Sequence, residues 1–76
     1  MQITIHVSEE DRQRLIEIMA KAHLGSYHDV LSEALSVFSW CVDQTHDGMV
    51  VGAISGDNSF YRELFCPVFQ KIKKSL

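Results

Sequence analysis

Residues 2–7, Gln-Ile-Thr-Ile-His-Val, alternate polar and apolar side chains without a break. That is the period of a strand with two unlike faces. Ile3, Ile5 and Val7 share one face and call for a core, while Gln2, Thr4 and His6 share the other and carry hydrogen-bonding groups. At Ser8 the pattern changes. Ser8-Glu9-Glu10-Asp11 combines a serine N-cap with an acidic first turn, and Asp11 supplies a capping-box-like carboxylate three residues on. The stripe of Leu15, Ile16, Ile18, Met19, Ala22 and Leu24 then predicts a helix running to about Leu24, with Arg12, Arg14, Glu17 and Lys21 largely outside it. Gly25 is expected to supply the left-handed position that ends it.

Ser26-Tyr27-His28-Asp29 repeats the Ser-x-x-acid start, so a second helix follows almost without a loop. Its stripe holds Val30, Leu31, Ala34, Leu35, Phe38, Cys41 and Val42, widened by Val37 and Trp40. A helix apolar over so much of its circumference needs more partners than one short neighbour provides. The helix should fade at residues 45–47, with Gly48 as its stop.

Beyond it, residues 49–54 (Met-Val-Val-Gly-Ala-Ile) read as a strand, residues 55–59 (Ser-Gly-Asp-Asn-Ser) as a turn, and residues 60–65 as a return strand. The competing pattern is the four-residue spacing of Phe60, Leu64, Val68 and Ile72, but one helix through them would cross Pro67 at a cost of about 3 kcal/mol. The basic end, residues 66–76, is expected to fray. The domain division that follows is residues 1–47 and 48–76.

A lone strand ahead of two helices leaves its backbone groups unpaired. A two-fold copy resolves this: antiparallel pairing of the two strands buries Ile3, Ile5 and Val7 of both chains on four helices, and displays Gln2, Thr4 and His6 twice. The dimer core expected from these stripes also includes Leu15, Met19, Val30, Leu31, Ala34, Leu35 and Phe38. Length agrees with this, because a 76-residue chain buries only about 60% of its unfolded surface and makes a marginal monomeric core.

The net charge of −3 is the wrong sign for a surface that attracts nucleic acid everywhere, so any phosphate binding must come from local geometry. Cys41 and Cys66, far apart among apolar neighbours, read as reduced thiols. With no long apolar run and no signal segment, the expectation is a cytoplasmic, non-membrane protein.

The strand QITIHV, the capped helix SEEDRQRLIEIMAKAHL, the Gly-Ser turn and the capped helix SYHDVLSEALSVFSW together resemble the ribbon-helix-helix repressors of the Arc and MetJ type, over roughly residues 2 to 45. The resemblance implies a mainly α fold with an N-terminal strand (β-α-α), an intertwined homodimer, and a bacterial or plasmid-borne transcriptional regulator, plausibly of its own operon. Its two-stranded ribbon would enter the major groove of operator DNA, where each base pair displays a distinct donor and acceptor pattern. By position, Gln2, Thr4 and His6 would read bases. In that family the start of the second helix grips a phosphate through its free amides, here Ser26 and Tyr27 with His28 adjacent.

The ribbon has no arginine or lysine between Met1 and Ser8. That predicts a shallow salt dependence, and reliance on several dimers side by side or on the accessory cations Lys71, Lys73 and Lys74. Two other readings stand beside this one: an antitoxin whose residues after about 48 wrap a toxin, and a dimerisation module without a DNA role. The four histidines and two cysteines show no zinc-ligand spacing, no catalytic set emerges, and neither metal nor cofactor is expected.

Overall fold

The computed structural model describes Gln2 and residues 4–76. Its elements follow the order α1 (Glu9–Ala22), α2 (Tyr27–His46), β1 (Gly52–Ile54), β2 (Tyr61–Glu63) and α3 (Pro67–Ser75). The chain is thus mainly helical with one small antiparallel hairpin. The expected N-terminal strand is the first difference, since none of the described residues before Ser8 belongs to a ladder. A strand needs a partner, and the only ladder among the described residues is that of β1 with β2.

Both long helices begin where their serines predict. Ser8 Oγ accepts from the Asp11 amide at 3.1 Å, and Ser26 Oγ from the Asp29 amide at 3.1 Å. Each satisfies one of the orphan donors of a first turn. The end of α1 differs from expectation: the left-handed residue is His23 (φ 57°, ψ 40°) and not Gly25, and the Leu24 amide returns to Met19 O at 3.0 Å. Histidine is among the non-glycine residues that tolerate this region. The end of α2 is as expected. Gly48 has φ 84°, its amide donates to Thr45 O, and the Met49 amide donates to Gln44 O, the paired bonds of a Schellman ending.

The hairpin pairs Gly52 with Glu63, Ala53 with Arg62 and Ile54 with Tyr61. Bonds from the Leu64 amide to Val51 O and from the Ser55 amide to Phe60 O, both 2.8 Å, extend it at each end. Its turn is built on Asp57, whose Oδ1 accepts from Ser55 Oγ, Ser59 Oγ and the Ser59 amide at 2.7, 2.7 and 3.1 Å. Asn58 takes the left-handed conformation there, at φ 62°.

Residues 66–76 are not frayed: Pro67 to Ser75 form α3. Pro67 stands in the first turn, where its missing N–H costs nothing and its fixed φ suits a helix, so it starts this element and does not break a longer one. Around α3 lies a small core of Phe69, Cys41 and Thr45. The Phe69 ring stacks on Phe38 with centroids 6.2 Å apart. Thr45, 1% exposed, donates its hydroxyl to Cys41 O at 2.9 Å and so buries no unsatisfied group. With these contacts the chain divides into two compact units between Leu35 and Ser36, inside α2. The second half of α2 belongs to the unit of the hairpin and α3.

Candidate nucleic-acid interface

Gln2, Thr4 and His6 are exposed, as a face that meets another molecule must be. Of the apolar residues that alternate with them, Ile5 is 63% and Val7 49% exposed. Ile3 lies outside the described residues. Ile5 and Val7 instead line a groove of about 380 Å³ with Arg12, Leu15, Tyr27 and Leu31. Of the residues expected in a dimer core, Val30 is buried in the single chain, Leu15 and Met19 are half-buried, and Leu31, Ala34, Leu35 and Phe38 are exposed. Residues 31–40 of α2 are exposed around the whole helix, Leu31, Leu35, Val37 and Trp40 included.

Ser26, Tyr27 and His28 form the start of α2, where amides not used within the helix and the positive end of its dipole favour an anion. Ser26 is engaged as the cap, and Tyr27 opens the helix half exposed beside the groove. His28 is exposed, with Nδ1 3.9 Å from an Asp29 carboxylate oxygen. Asp29 completes this turn with a negative charge of its own, which lowers the local preference for phosphate.

The cation absent from the strand is found on α1. Glu9 accepts a two-pronged bond from Arg12, Nε to Oε2 and Nη2 to Oε1, each 3.0 Å. That fork, with Gln13 as a further donor to Glu9, holds the Glu9 carboxyl below its ordinary value. The same fork, followed by Tyr27, holds the Arg12 guanidinium above its own. Arg12 therefore stands in the groove beside Tyr27, although its place outside the apolar stripe marks it only as a solvated residue. The legible signal was the spacing of Glu9 and Arg12, three residues apart on one helix.

The accessory cations belong to the other unit. Lys71 and Lys74 are exposed on α3, while Lys73 Nζ is 3.6 Å from Glu63 Oε1 and spends part of its charge on that pair. The two cysteines are free thiols, Cys41 buried and Cys66 half-buried. Among the described residues no helix is long and apolar enough to cross a membrane, and no three histidine, cysteine or acidic side chains gather as a metal site would require. Compared with known proteins, the chain matches no family model, no curated protein and no solved structure.

Proposed function

We propose that this chain is a sequence-specific DNA-binding regulator of the ribbon-helix-helix kind, working as a homodimer and repressing its own promoter. The observation that carries the reading is the segment of residues 2–7. It has two unlike faces, no ladder partner among the described residues, and exposed Ile5 and Val7 beside an apolar groove at the start of α2. A second copy satisfies all of this at once. The two segments pair antiparallel, their apolar faces cover the grooves, and the exposed stretch of α2 packs on its mate. Gln2, Thr4 and His6 from both chains then stand on one ribbon. Their chemistry suits base edges: a bidentate pairing of glutamine with adenine, a hydroxyl or methyl contact from threonine, and a donor from histidine to guanine acceptors.

The start of each α2 supplies the phosphate anchor, while the nearby Arg12 is already paired with Glu9; few counterions are therefore released and affinity depends weakly on salt. The antitoxin reading is weakened by α3 and the hairpin, which already have a core and a turn of their own. Fluorescence anisotropy with the DNA upstream of the reading frame tests the proposal. Thr4→Ala and His6→Ala each lower affinity about tenfold, roughly 1.4 kcal/mol per dimer, without changing the helical content. Wild-type protein that leaves this DNA unbound at low salt would sink the regulator reading.

A further inference from the structure

The hairpin exposes two edges of very different character. The bonds from Leu64 to Val51 and from Ser55 to Phe60 mark the hydrogen-bonded pairs, with Ala53 and Arg62 between them on the same alternation. Gly52 with Glu63 and Ile54 with Tyr61 are then the non-bonded pairs. Main-chain N–H and C=O groups of Gly52 and Ile54 consequently point off the outer edge of β1, and those of Tyr61 and Glu63 off the outer edge of β2. Among the described residues no third strand meets either edge.

Sheets discourage edge-to-edge pairing with charge, and β2 carries it as Arg62 and Glu63, the latter paired with Lys73. The other edge has no such protection. Residues 49–54, Met-Val-Val-Gly-Ala-Ile, hold no charge and no proline, and Val50 and Ile54 are exposed.

The geometry points to the outer edge of β1 as a surface on which a second copy of this chain docks, the two β1 strands pairing antiparallel about a two-fold axis at Ala53 to make a four-stranded sheet. The edge is complementary to itself. The two-fold sets Gly52 opposite Ile54 of the second copy, and Ile54 opposite Gly52, so all four outward-pointing residues exchange N–H and C=O bonds. Glycine suits this position for a steric reason. A Cβ at Gly52 would lie 2.5 Å from Arg62 O and 2.9 Å from the Tyr61 ring, so that ring already covers the glycine and offers an apolar neighbour to the incoming Ile54. No charge meets its like across this axis, whereas the same operation on β2 would set Arg62 against Arg62. The pairing goes beyond the regulator reading and does not depend on it: it joins ribbon dimers side by side, and it joins single chains if no ribbon forms.

Charge swapping at the axis tests it with the full-length chain. Ala53 is exposed, and Ala53→Lys and Ala53→Glu each set like-charged side chains directly opposite each other at the non-bonded position of the new ladder, where the Cα atoms are about 4.5 Å apart. In sedimentation velocity each variant alone has a lower mass than wild type, half of it where single chains pair, and an equimolar mixture of the two regains the wild-type mass. Hydrogen exchange supplies a second readout, because the Gly52 and Ile54 amides, unpartnered within the chain, slow as wild-type concentration rises while the Leu64 amide stays slow throughout. Variants that retain the wild-type mass, or Gly52 and Ile54 amides that exchange freely in concentrated wild-type protein, would overturn the pairing. Thr4→Ala leaves all of these readouts unchanged, so a failure of DNA binding is told apart from a failure of this interface.

Discussion

Phe69, on a nine-residue helix, is 4% exposed, while the fourteen residues of α1 include none that is buried. The two units thus treat apolar surface in opposite ways. Residues 36–76 close a small core on themselves, through the Phe38 and Phe69 rings, Cys41 and Thr45. In the unit ending at Leu35 only Val30 is buried among the described residues, although Ile5, Val7, Ile16, Ile18 and Leu31 are all available. A helix with a good stripe and nothing buried is what the proposed dimer would require of α1. The difference teaches that completeness within a chain, more than helix length or capping, separates a self-sufficient element from half of an interface.

The largest effect should come from the self-sufficient side. Phe69→Ala removes a ring from a core of few residues and is expected to cost about 3–5 kcal/mol. Amide exchange followed residue by residue resolves where the cost falls. Protection is lost at the Leu64 amide and in α3, while the middle of α1 keeps its own. Simultaneous loss along α1 would break the comparison by showing that the units unfold as one.

Next in size is a change on the incomplete side. Leu31 is half exposed in the single chain, and a substitution at such a surface normally costs within about 0.5 kcal/mol. In the proposed dimer Leu31→Lys removes a buried leucine from each copy, at about 1.5 kcal/mol apiece or roughly 3 kcal/mol per dimer. That corresponds to about a hundredfold in dissociation constant. Urea midpoints measured over a range of concentrations decide between the two. The wild-type midpoint climbs with concentration and the Leu31→Lys midpoint is lower throughout; a flat wild-type midpoint would contradict the dimer.

Much of this contrast was legible in the residues, and the parts that were not have physical reasons. The two serine caps, the Gly48 ending and the turn at residues 55–59 were readable because each is set by bonds within a few residues of itself. The N-terminal segment was readable as a two-faced pattern, but alternation alone supplies no ladder partner, and the described residues before Ser8 form no strand. Pro67 was read correctly as a breaker of one long helix from Phe60, but its second use was missed: at N1 it starts a short helix where fraying was expected. His23 and Gly25 exchanged roles because glycine preference is a propensity, and Gly25 shows no left-handed backbone here. At the candidate site the face of Gln2, Thr4 and His6 and the start of α2 followed from pattern, but the position of Arg12 beside Tyr27 required tertiary packing.

The smallest expected effect sharpens the comparison from within the hairpin, whose turn carries one exposed carboxylate among its hydrogen bonds. Bonds from Ser59 and Ser55 to Asp57 favour its ionised form and lower its pKa from an ordinary 3.8 to about 2. Because the folded value lies below the unfolded one, this group's contribution is complete above about pH 4 and is lost as pH falls through about 2. The Ser59 amide resonance should therefore hold its position down the acid limb to about pH 3 and move with a midpoint near 2. Asp57→Asn keeps an acceptor and removes the charge, so its turn should be weaker than wild type at neutral pH and indifferent to acid below pH 4. Movement of the Ser59 resonance with a midpoint near pH 4, the ordinary carboxylate range, would mean that the turn hydrogen bonds do not hold this carboxylate in its ionised form.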